Sequence, residues 1–109
     1  MVLEVTVLCA GLDRRFRYSL GEDIRREAKN LLIAADSAGK GMDRTENLLR
    51  ARRSLMEVQL GLRLLNDLKV ISDKRYIPFV EITTEIDRQL SNWERSAHRR
   101  ESPAGVSSP

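Results

Sequence analysis

The sequence predicts an all-α protein: an up-down four-helix bundle with a short first helix. Apolar residues recur at steps of three and four along several stretches, the repeat that aligns one face of an α-helix. The breaks between those stretches hold glycine, serine and aspartate, the residues that stop and start helices. The chain has 109 residues, 41% hydrophobic and 32% charged, enough for one core and too few for two.

The opening segment, Met1 to Leu12, is ambiguous by local rules. Val2, Val5, Thr6 and Val7 are β-branched and favour a strand, yet Val2, Val5, Cys9 and Leu12 also fit a helical stripe. A lone strand would have no partner, so the segment is assigned to a helix. Asp13 to Tyr18 follows as a polar connector, with Phe16 or Tyr18 plugging the end of the core as a hydrophobic staple does. Ser19 and Glu22 have the spacing of a capping box, and Leu20, Ile24, Ala28, Leu31, Ala35 and Ala38 carry the next helix to Gly39-Lys-Gly41.

Asp43 and Glu46 form a second capping pair and open the helix around which the bundle is organised. Leu48, Ala51, Leu55, Val58, Leu62 and Leu65 make one core-facing seam. Leu49, Met56, Leu60 and Leu64 fall outside it, with Leu60 on roughly the opposite side. A helix apolar on two sides must be covered twice, so these four residues are candidates for an interface with another copy. The helix reaches about Lys69, roughly 26 residues and on the order of 39 Å. Gly61 within it costs about 1 kcal/mol relative to alanine, which a close helix approach offsets. Ser72 is the cap of the last helix, whose seam is Tyr76, Phe79, Thr83, Ile86, Leu90 and Trp93. Pro78 either kinks the first turn or marks where regular helix begins. Residues 1–97 are thus read as the bundle and residues 98–109 as a disordered tail.

Composition excludes several function classes. No run of about 18 apolar residues is present to span a bilayer, and the opening residues lack the features of a signal peptide, so a cytoplasmic protein is expected with no membrane partner. Cys9 and His98 are each alone in their type, which leaves no Ser-His or Cys-His pair and too few soft ligands for a metal cluster. Carboxylate pairs such as Glu81 with Glu85 read as solvated helix faces. Neither an enzyme nor a cofactor is expected.

The charge pattern is more informative than the net charge of +3. Arg14 to Arg53 holds eleven basic residues against six acidic, whereas Ser54 to Glu94 holds five against seven. Fifteen of the nineteen cations are arginine, whose planar fork pairs with phosphate. Glu46 with Arg50, Arg53 with Glu57, Glu22 with Arg26 and Arg63 with Asp67 are spaced for helix-surface pairs. The surplus is Arg14, Arg15, Arg17, Arg25, Lys29 and Arg52, with Arg99 and Arg100 beyond, and a nucleic-acid-binding surface is expected there. Trp93 reads as core or subunit interface, or else as a base-stacking platform.

Phe16 with Leu20-Gly21 and Ile24, Leu62-Arg63-Leu64 with Asp67-Leu68, and Ile86, Arg88, Leu90 and Trp93 together resemble Avd. This is the accessory variability determinant family of diversity-generating retroelements. The resemblance covers about Phe16 to Arg95. Ser91 and Asn92 stand where the family has glycines, and the segment before Arg14 is about half the family's first helix. The resemblance implies a homopentameric barrel without catalytic residues, with a basic outer surface that binds a reverse transcriptase and RNA or DNA during mutagenic copying. A sister family, the helical bundles encoded in ribosomal RNA intervening sequences, implies instead a structural or regulatory bundle with ribosomal RNA or protein partners.

Overall fold

The computed structural model describes residues 1–101, with side chains through Ser96. It is helical throughout: α1 (Val2–Ala10), a one-turn α2 (Arg14–Arg17), α3 (Leu20–Gly39), α4 (Arg44–Asp67) and α5 (Asp73–Glu101). No strand occurs among the described residues. Helix α4 packs along α3 on one side and α5 on the other, while α1 lies against the first half of α3. The result is an elongated body of 58 × 22 × 17 Å.

The seam expected on α4 is the centre of the core: Leu48, Ala51, Val58 and Leu65 are wholly buried and Leu55 and Leu62 nearly so. The α3 seam holds at Ile24, Ala28, Leu31 and Ala38, but Ala34 is buried and Ala35 is only half-buried. The core has two clusters. One joins Val5, Leu8 and Cys9 of α1 to Ile24, Val58, Leu62 and Phe79; the other joins Leu31, Ala38, Leu48 and Leu55 to Leu90. Met1 packs against both, so α1 fills one end of the bundle and stops near its middle.

At Gly61 α4 lies close against α3. A Cβ there would lie 2.5 Å from Cγ1 of Ile24, a separation that carbon atoms do not adopt. The close approach anticipated for this glycine is therefore present, and its partner is Ile24.

The helix ends follow local rules only in part. Ser72 caps α5 through its Oγ, which accepts from the Arg75 amide at 3.2 Å. At the end of α4, Lys69 takes the left-handed conformation (φ 62°) usually given to glycine. The Lys69 and Val70 amides there return to the Asn66 and Leu65 carbonyls at 2.9 and 2.8 Å. Gly41, at φ 80°, turns the chain after α3.

Neither capping box forms. The Ser19 hydroxyl donates instead to the Arg15 carbonyl at 2.7 Å, closing α2, and the Glu22 carboxylate is taken by Arg25. Asp43 sits at φ 40° with no side-chain cap, and Glu46 accepts from Arg50 at 2.6 Å. At Ser19 and Glu22 neighbouring groups take both members of the box, whereas at the second box Arg50 takes Glu46 and Asp43 stands in a left-handed backbone conformation without a side-chain cap.

Two boundaries also move. The connector after Asp13 contains a helical turn, because the Asp13 carboxylate accepts from the Arg15 amide at 3.0 Å. Helix α5 runs through Pro78 and past Ala97 to Glu101, four residues into the segment expected to be disordered. The remainder of that tail, 102–109, and the His98, Arg99 and Arg100 side chains lie outside the described residues.

Candidate nucleic-acid interface

The cationic surface begins at α2. Its single turn places Arg14 and Arg15 outward, while Phe16 is half-buried against the core as expected and Tyr18 is 69% exposed, so it is not a plug. The Arg15 guanidinium lies 5.5 Å from the centre of the Phe16 ring. Arg17 is held differently: Nη1 donates to the Ala10 carbonyl at 3.4 Å, and the guanidinium lies 5.2 Å from the Tyr18 ring. Arg17 Nε is enclosed without an acceptor.

The six cations expected to form the surplus do not behave alike. Arg14 and Lys29 are exposed and make no ion pair among the described residues. Arg25 is not surplus. It donates through Nε to Glu22 Oε1 at 3.0 Å and through Nη2 to Oε2 at 2.7 Å, in the i,i+3 geometry of a helix surface.

Arg52 is not surplus either: it bridges from α4 to α5, with Nη1 2.6 Å from Glu94 and Nη2 3.8 Å from Asp87. Sequence spacing misses that pair because its members are 42 residues apart. The local pairs also differ from those expected. Glu46–Arg50 and Arg63–Asp67 form, Arg26 pairs with Asp23 at 3.0 Å in place of Glu22, and Arg53 makes no pair with Glu57 among the described residues.

Between α1 and α3 the surface is concave. Two adjoining hollows of about 570 and 140 Å³ share Thr6, Glu22 and Arg25. The larger is walled by Arg26 and Lys29 with Val2, and the smaller by Arg17 and Tyr18 with Cys9, Ala10 and Gly21. Helical periodicity explains the row: Glu22, Arg25, Arg26 and Lys29 are three or four apart and share the side of α3 that overlooks α1. The narrow contact beneath depends on Gly21, where a Cβ would lie 3.0 Å from the Phe16 carbonyl oxygen and 3.1 Å from Leu12. Cys9 lies at the floor. Burial pushes its thiol up to about 11, with Arg25 opposing and Glu22 reinforcing the shift, so it stays protonated at neutral pH and is a poor nucleophile.

The second surface is apolar. Leu49, Met56, Leu60 and Leu64 are 54, 63, 53 and 40% exposed, forming a rib along the outer side of α4 that no part of the described chain covers. Leu68 continues it. Trp93 is not on that rib. It packs on the second core cluster, its ring 3.5 Å from where a Cβ on Gly39 would lie, and lines a hollow of about 300 Å³ between α3 and α5 beside Met1.

Other chemistry is sparse. Among the described residues no helix is long and apolar enough to cross a membrane, and no group of three or more His, Cys, Asp or Glu side chains is placed to hold a metal ion. Glu85, on the surface of α5, is held below the usual carboxylate range by its hydrogen bond from Arg88. No protein-family model, curated protein or solved structure matches the chain. The fold and its surfaces define a class: a four-helix bundle, with an extra turn before α3, that carries a cationic cleft and an uncovered apolar rib.

Proposed function

We propose that this chain is a non-enzymatic accessory protein of a diversity-generating retroelement. In this reading it is a cytoplasmic homo-oligomer, a pentameric barrel, that binds the element's reverse transcriptase and its template RNA or DNA. The partner and the pentamer come from the resemblance to Avd carried by Phe16, Leu20-Gly21, Leu62-Arg63-Leu64 and Trp93. The observation that carries the proposal is the pairing of two unlike surfaces on one small bundle. Arg14 and Lys29 stand exposed without an ion pair among the described residues, Arg15 is exposed with only a 3.8 Å approach to Asp13, and the α4 rib leaves four large apolar side chains in water.

An exposed apolar strip of that kind marks a protein-protein contact, and exposed cations held by few or no carboxylates suit phosphate. The mechanism is positional. Phosphate contacts raise the local concentration of template, and several copies in a ring multiply weak contacts through avidity.

The experiment is copurification with the reverse transcriptase encoded nearby, together with binding of a labelled RNA across a salt series. Replacing Arg14, Arg15 and Arg17 by Gln weakens binding whatever the sequence and flattens the salt dependence. A triple variant with the unaltered salt slope rejects this surface, and copurification of ribosomal RNA in place of the enzyme favours the intervening-sequence type of bundle.

A further inference from the structure

We infer that the cleft between α1 and α3 is a single-strand site, taking the phosphodiester backbone of one unpaired nucleic-acid strand with a base stacked on Tyr18. This rests on the nucleic-acid reading above and specifies its location and strand preference. Four cations line the two adjoining hollows: Arg25 and Arg26 carry the exposed carboxylates of Glu22 and Asp23, while Arg17 and Lys29 make no ion pair among the described residues.

Packed helices lie about 8–10 Å apart, so the depression between two of them is too narrow for a duplex, which presents its phosphates on a broad convex surface. One strand fits where two do not. The far wall is α1's row of Val2, Thr6 and Ala10, small and uncharged, which leaves the cationic side to set the register of the phosphates.

Tyr18 supplies what a plain cationic groove lacks. It borders the smaller hollow, and at 69% exposure it has no packing role that accounts for an aromatic residue there. The Arg17 guanidinium lies over its ring at 5.2 Å, so cation and aromatic stand side by side at the mouth. A basic groove that ends on an open aromatic ring is the arrangement that binds single strands with little sequence preference. Glu22 competes with the incoming phosphate for Arg25, since its carboxylate already accepts from Nε and Nη2.

The test uses the full chain, a fluorescent 15-nucleotide oligouridylate and the same length of RNA duplex, with affinity measured across a salt series. The single strand binds more tightly than the duplex. Tyr18→Ala weakens single-strand binding fivefold or more, and Tyr18→Phe stays within about twofold because the ring is kept. Lys29→Gln lowers the salt slope by about 0.7, the share of one phosphate contact on a single strand. Arg53→Gln, an equal charge change outside the cleft, leaves the slope unchanged.

Glu22→Gln tightens binding. Preference for the duplex overturns the single-strand site, as does binding untouched by Tyr18→Ala and Lys29→Gln, and either leaves nucleic-acid binding itself standing. Failure of the unaltered chain to bind either probe overturns both readings.

Discussion

At Gly61 the bundle depends on a missing methyl group. The cost of glycine inside a helix, about 1 kcal/mol relative to alanine, and the need for a close helix approach to offset it are readable from sequence, but the partner is not, because it is Ile24 of another helix. Gly61→Ala therefore gains helix propensity and loses more to overpacking, for a net destabilisation of about 1–2 kcal/mol. A shift in the urea midpoint reads this directly. Ile24→Ala alone creates a void, and the double variant is less destabilised than the sum of the two, since each relieves the other; strictly additive losses contradict the contact. The same limit on local reading explains the arginines. The Arg25–Glu22 pair lies within reach of a spacing rule, but Arg52 meets Glu94 only because α4 and α5 are packed side by side.

Among the elements, the seams of α3, α4 and α5 were legible because burial imposes the helical repeat on the apolar residues, and α1 was assigned correctly against its β-branched composition. The caps were not equally legible. A serine or aspartate three residues before a glutamate is a necessary pattern, and whether it closes depends on what else those groups can reach. At Ser19 the hydroxyl finds the Arg15 carbonyl, whereas at Ser72 it accepts from the Arg75 amide.

These two serines thus make a controlled comparison. Ser72→Ala costs about 1 kcal/mol, and Ser19→Ala costs less than about 0.5 kcal/mol, since Ser19 stands at the N-cap of α3 but its exposed hydroxyl makes no cap hydrogen bond there. Thermal denaturation of both variants distinguishes them, and equal losses would contradict the assignment. The extra turn α2 was missed because its cap is Asp13, the first residue of a stretch too short and too basic to show a periodic pattern.

For the whole molecule, the outer rib of α4 has the largest consequence. Leu60 is half exposed and belongs to neither core cluster, so Leu60→Glu leaves the melting temperature of the subunit nearly unchanged while exposing a charge to whatever covers the rib. If copies of the chain cover it, as proposed, the unaltered protein sediments above its 12.5 kDa chain mass and the variant falls to that mass. An unaltered protein that sediments as one chain at working concentration removes self-association from the proposal. Trp93 makes no corresponding prediction, because it packs within its own chain against the second core cluster.

The sequence by itself determined that this chain is helical, which face of α4 turns inward, that its opposite face is apolar, and that arginine dominates its cations. Those properties follow from repeats of three and four and from side-chain chemistry, which need no knowledge of neighbours. Only the tertiary structure decided which arginines remain unneutralised, that Tyr18 stands open beside a cleft, and that Ile24 is the partner of Gly61. Each of these depends on the distance between groups on different helices or on competition among nearby groups for one partner, and a one-dimensional pattern carries neither.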